Sequence, residues 1–119
     1  MLRFVEFAIE LRVTERELNC LQQVLEETKD DPPFLMSKAH DDCVILYADN
    51  SLTTDIDRVC NVLQAFVKHF DCEPILLSWA EYSNRPIIGE FGGGAAAISK
   101  NEIQKFHTKD WLQNYEKNM

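Results

Sequence analysis

An α+β fold follows from three features of this 119-residue chain: an alternating strand pattern at the amino terminus, two helical stripes of apolar residues, and apolar runs of strand length around them. From Phe4 to Val13 the residues Val5, Phe7, Ile9, Leu11 and Val13 fall on one side, with Glu6, Glu10 and Arg12 opposite. That is a strand with one wet face. Thr14-Glu15-Arg16-Glu17 is a capping box, in which hydroxyl and carboxylate satisfy the free amides of a helix start. Leu18, Leu21 and Leu25, with Val24 beside them, give this helix its buried stripe. Asp30-Asp31-Pro32-Pro33 ends it, because proline lacks a donor and biases its predecessor toward extended backbone.

Phe34 to Ser37 predicts a short strand, His40-Asp41-Asp42 a turn, and Cys43 to Ala48 an apolar strand that pairs back as a hairpin. Thr54-Asp55-Ile56-Asp57 carries acceptors for the next helix start, with acids where the helix dipole favours them. Behind it Ile56, Val59, Cys60, Leu63, Val67 and Phe70 make the strongest periodic signal in the chain. Ile75 to Tyr82 is a further sheet segment with Ile75, Leu77 and Trp79 on one face. Ala95 to Ile98 is small and apolar, and Ser99 to Glu102 can turn. Ile103 to His107 is then a strand, or a helix, because Ser99-Lys100-Asn101-Glu102 also fits a capping box. Thr108 caps a last helix containing Trp111 and Leu112. The order implies one domain over residues 1–119, a ferredoxin-like sandwich. Its mainly antiparallel sheet carries two helices on one face and a carboxyl-terminal strand or helix addition.

Composition narrows the function classes. Hydrophobic residues at 45% and charged residues at 27% are values of a folded domain and exclude disorder as the main state. A net charge of −8 repels phosphate backbones and anionic membranes, and the twelve basic residues form no positive stripe, so direct nucleic-acid binding is not expected. No segment approaches the apolar length of a membrane span, and the amino terminus lacks a leader pattern. The expectation is a cytoplasmic protein.

Cys20, Cys43, Cys60 and Cys72 form no C-x-x-C pair and match no histidine spacing, so neither a zinc site nor a redox motif is indicated. Their apolar settings are those of buried reduced thiols. His40, His69 and His107 share no local metal spacing, and Asp30-Asp31 and Asp41-Asp42 read as turn formers. No catalytic residue and no cofactor is assigned.

All four glycines, Gly89, Gly92, Gly93 and Gly94, fall within six positions. Glycine accepts backbone conformations and close approaches that other residues refuse, so the candidate site is placed at Trp79, Tyr82, Asn84, Arg85, Glu90, Phe91, Gly92, Gly93 and Gly94. Trp, Tyr and Arg are the types that anchor protein interfaces, and here they are spaced three apart. Successive glycine amides could instead cradle the phosphate of a small nucleotide, with Arg85 as a fixed charge, although the run matches neither nucleotide fingerprint. A structural alternative makes the glycines a bend or bulge and the alanines after them a close-approach surface.

The stretch Ser83-Asn84-Arg85-Pro86, then Gly89-Glu90-Phe91-Gly92-Gly93-Gly94-Ala95, Phe106-His107-Thr108 and Trp111-Leu112 resembles small uncharacterised proteins of bacteria and of their phages and plasmids. It covers about the last third of the chain. The resemblance implies a non-secreted accessory protein and carries no catalytic residue. The function expected is non-enzymatic binding or regulation of a protein partner, for example inhibition of a host defence enzyme, by a dimer or larger oligomer. The alternatives are a nucleotide-binding protein and an acidic mimic of nucleic acid.

Overall fold

Among residues 3–51, 55–83 and 92–107, which the computed structural model describes, six strands and two helices follow one another. They are β1 (Arg3–Arg12), α1 (Glu15–Glu27), β2 (Leu35–His40), β3 (Cys43–Ser51), α2 (Ile56–Phe70), β4 (Ile75–Ser83), β5 (Gly92–Ile98) and β6 (Ile103–His107). The strands form one sheet in the order β2-β3-β1-β4-β5-β6, and every neighbouring pair is antiparallel.

The register follows from the alternation in the sequence. Phe7, Ile9 and Leu11 stand opposite Ala48, Leu46 and Val44, while Ile75, Leu77 and Trp79 stand opposite Ile98, Ala96 and Gly94. A one-residue slip would turn each apolar set to water, so this face fixes the pairing. Leu21 of α1 and Val59, Cys60, Leu63, Phe66 and Val67 of α2 join these side chains in one apolar cluster. Leu46, Leu63 and Ile98 are wholly buried. Each such side chain contributes about 1.5–3 kcal/mol by leaving water.

The helix ends are set by specific polar groups. At α1 the Thr14 hydroxyl accepts from the Glu17 amide at 3.2 Å and the Glu17 carboxylate accepts from the Thr14 amide at 2.9 Å, the reciprocal pair that the sequence spells. At α2 the cap is Asp55, which accepts from the Asp57 and Arg58 amides at 3.0 and 3.4 Å. Asp71 ends α2 in the left-handed region, at φ 51°, while the Cys72 amide donates to the Val67 carbonyl at 3.1 Å.

Several boundaries differ from the sequence expectation or settle it, and β3 runs three residues past Ala48 to Ser51. β2 runs on to His40, because an irregularity between Lys38 and His40 lets the ladder reach the pair His40 and Cys43, leaving Asp41-Asp42 alone as the turn. Gly92 to Gly94 belong to strand β5, all three paired with β4 and Gly94 also with β6, not to a loop. Ile103 to His107 is a strand: the Ser99 hydroxyl accepts from the Glu102 amide as a helix cap would, but the Ser99 amide also donates to the Glu102 carbonyl at 2.9 Å. That second bond closes a hairpin. The expected terminal helix with Trp111 and Leu112 lies outside the described residues.

The β5–β6 hairpin is tied along α2 by residues two helical turns apart. Asp57 pairs with Lys105, the Gln64 amide donates to the Ser99 carbonyl at 3.1 Å, and Asp71 pairs with Lys100 at 2.7 Å. Positions 57, 64 and 71 recur at seven-residue steps, which places them along one side of the helix. The Lys100 ammonium holds the Asp71 carboxyl below its ordinary pKa.

Candidate functional site at the β4–β5 end of the sheet

The antiparallel pairing gathers the start of β1, the ends of β3, β4 and β6, the start of β5 and the start of α2 at one end of the sheet. Arg3 pairs with Ser83, Val5 with Ser51, Glu81 with Gly92 and Gly94 with His107. At its centre Trp79 is only 6% exposed, on the face that the helices cover. The His107 ring meets the indole edge-on, with centroids 5.6 Å apart. Among the described residues the indole Nε1 finds no hydrogen-bond partner. Beside it Lys105 pairs with Asp57, and that bond outweighs burial to raise the ammonium's pKa.

The glycines are explained by what surrounds them. At Gly94 a Cβ would meet the Phe106 carbonyl and lie 2.8 Å from the Trp79 ring, so the indole and the neighbouring backbone occupy that space. At Gly93, where φ is 144°, it would collide with the Trp79 carbonyl. Gly92 is less constrained, with the Glu81 carboxylate 3.3 Å from the same position. These three glycines therefore serve the approach of β5 to β4 and β6. On the β4 side the main chain of all three is in the sheet ladder, and on the β6 side that of Gly94 is as well.

The sequence-predicted site residues are thus divided. Trp79 is an interior side chain, Gly92 to Gly94 form the first half of β5, and the Tyr82 main chain pairs with Phe4. Asn84, Arg85, Glu90 and Phe91 lie outside the described residues. The structure adds His107 and Lys105 to this end of the sheet, a placement visible only once β6 is known to be a strand.

Sequence reasoning also missed the opposite face. Leu76, Ser78, Ala95, Ala97, Gln104 and Phe106 line an open trough of about 450 Å³, in which Leu76 is 74% and Phe106 48% exposed. The signal was present in the alternation of β4, which sends Leu76 and Ser78 away from Leu77 and Trp79.

The far end of the sheet holds two thiol–carboxylate pairs. The Cys72 thiol donates to Glu17 and the Cys43 thiol to Glu10, both at 3.2 Å. Burial and then Glu17 push the Cys72 thiol up from its ordinary 9.0 to about 11, and burial and then Glu10 raise Cys43. Burial opposes the Glu17 charge, but the Thr14 amide, the Cys72 thiol and the Thr14 hydroxyl together hold its pKa below the ordinary value. A carboxylate beside a thiol suppresses the thiolate, the reverse of what a nucleophile requires. All four cysteines are free. Among the described residues no three His, Cys, Asp or Glu side chains are placed to share a metal ion, and no helix is long and apolar enough to cross a membrane. Comparison with protein-family models, curated proteins and solved structures finds no match.

Two outcomes follow from this geometry. Gly93→Ala should destabilise the chain by about 1–3 kcal/mol from its backbone conformation alone, whereas Gly92→Ala meets only the tip of a flexible side chain. Urea midpoints of the two variants check the contrast, and equal midpoints would contradict it. Cys72 should resist iodoacetamide at pH 8, where a thiol of pKa about 11 is thiolate in roughly one molecule per thousand, and Glu17→Gln should speed its alkylation several-fold. Because the folded pKa lies above the unfolded one, the contribution of Cys72 to stability is complete below pH 9 and is lost as pH rises toward 11.

Proposed function

We propose that the chain is a small, cytoplasmic, non-enzymatic binding or regulatory protein whose partner surface is built on the 79–95 segment. One observation carries the proposal. The two arms of that segment, Trp79 to Ser83 and Gly92 to Ala95, lie side by side on adjacent strands, with Glu81 opposite Gly92. They are seated on the buried Trp79 and cannot separate without breaking that packing. The base that flanks residues 84–91 in the chain is thus held in one register, and a rigid scaffold is where recognition segments are commonly carried.

The proposed architecture is a ferredoxin-like unit with a carboxyl-terminal hairpin added at one edge. The supporting order is β4-β1-β3-β2 for the first four strands, joined by α1, a hairpin and α2, with β5 and β6 continuing beyond β4. The likeness of the glycine segment to accessory proteins of phages and plasmids favours a host protein as the partner. The described carboxylates give little support to nucleic-acid mimicry. Glu15, Glu17, Asp55 and Asp57 serve helix starts and Asp41, Asp42 and Asp71 sit at turns, each with a local structural role.

The test is affinity capture with the tagged chain. A partner bound by the native chain should be lost with the double variant Arg85→Ala, Phe91→Ala and kept with Lys29→Ala, which alters an exposed residue beyond α1. Equal recovery with the double variant would remove the surface assignment. Thermal stabilisation by a mononucleotide or dinucleotide would shift the function to small-ligand binding.

A further inference from the structure

Toward the carboxyl end of β1 the sheet opens between its two central strands. β1 and β4 pair from Arg3 with Ser83 to Phe7 with Trp79, and there their ladder stops, although β1 stays paired with β3 as far as Arg12 and β4 with β5 from Ile75. Continued in the same register, the ladder would set Glu10 against Leu76 and Arg12 against Pro74, which has no N–H to give. The Val13 amide donates to the Asp42 carbonyl just before β3, so the alternate residues Glu10 and Arg12 turn their main-chain N–H and C=O toward β4. A cleft of about 470 Å³ takes the place of the missing pairs, walled by Glu10, Leu11 and Arg12 on one side and by Pro74, Ile75 and Leu76 on the other. Its lining carries three carboxylates, Glu10, Glu17 and Glu73, against the one guanidinium of Arg12. Glu17 is fixed there by the Thr14 amide and the Cys72 thiol, which donate to its two oxygens.

We propose that this cleft is a peptide-binding site, in which an extended segment of another protein sets its main chain against Glu10 and Arg12 and places a lysine side chain among the carboxylates. Two properties of the cleft choose the occupant. Main-chain donors and acceptors along a strand that its neighbour does not use are what an extended peptide pairs with, and a free amine has no use for them. The excess of carboxylate, in a chain of net charge −8, draws a cation and turns away an acidic segment. The methylene stem of a lysine suits the apolar wall of Leu11, Phe66 and Ile75, while its ammonium stays with the acids. A metal ion does not fit, because among the described residues no three ligating side chains are placed to share one. At about 3.3 Å per residue, the opened stretch of β1 admits only three or four residues of a peptide, so the binding is weak.

This site goes beyond the partner surface at residues 79–95, and its test uses the purified chain with synthetic peptides, so each reading can fail without the other. The probe is a fluorescein-labelled heptapeptide of alternating valine and threonine with lysine at its centre, followed by fluorescence polarisation. It should bind with a dissociation constant on the order of 10⁻⁵ to 10⁻⁴ M, and about tenfold more tightly than its counterpart with glutamate at the centre or with two alternate amides methylated. The double variant Glu10→Gln, Glu73→Gln should bind it about fivefold more weakly, whereas Glu26→Gln on α1, outside the cleft, should leave binding unchanged. Glu10 and Glu73 are exposed, so the thermal melt should be preserved. If it is not, a nuclear magnetic resonance titration of the native chain decides, because the amide signals of Glu10, Arg12 and Leu76 should move as peptide is added. No binding up to about 1 mM would overturn the proposal, as would equal binding of the glutamate peptide or equal binding by a folded double variant. So would displacement of the peptide by an equal concentration of spermidine, which would make the cleft a small-amine site.

Discussion

The indole of Trp79 fits into the sheet only because the residue opposite it on β5 has no side chain. Gly94 leaves the space that the ring fills, and Gly93 lets β5 pass beside the Trp79 carbonyl in a conformation that an L residue resists. The edge-on His107 then closes the site from β6. Three strands are thus locked by one large side chain and two missing ones. A buried Trp ordinarily finds a partner for its N–H, and among the described residues this one has none.

The distribution of chemistry follows the same economy of space. Ionisable side chains on the helix-covered side do structural work: Glu17 caps α1 and accepts from a thiol, Asp55 caps α2, and Lys105 meets Asp57. The thiols are quiet because burial and neighbouring carboxylates favour their protonated form. What remains accessible and unusual is shape, in an uncharged strip on the open face and in the base of the 79–95 segment.

Much of the fold was legible in the residues. The period-two pattern of Val5 to Val13, the Thr14–Glu17 box and the stripe from Ile56 to Phe70 each formed as written, because local pattern and burial agree there. The Gly92 to Gly94 run was not legible as a strand. Glycine is depleted in strands, and the reasons for it, the Trp79 ring at Gly94 and the Trp79 carbonyl at Gly93, are contacts between strands that composition does not reveal. Ser99 and Glu102 left strand and helix both open for Ile103 to His107, since one side chain-to-amide bond serves both a helix start and a hairpin turn. Of the candidate site, the position of the segment was readable. The inward direction of Trp79 was also readable, from its alternation with Ile75 and Leu77, but its use as an anchor under the segment required the register with β5.

The lacing of the β5–β6 hairpin onto α2 makes that hairpin sensitive to ionic strength. Two of its three ties, at Lys105 and Lys100, are ion pairs near the surface, where dissolved ions weaken attraction over about 8–10 Å. The middle tie, from Gln64 to the Ser99 carbonyl, is neutral and keeps its strength. Concentrated electrolyte would therefore loosen β6 at Lys105, while the turn, where Ser99 adjoins Lys100, stays pinned by the neutral bond, leaving the interior around Leu63 and Ile98 undisturbed.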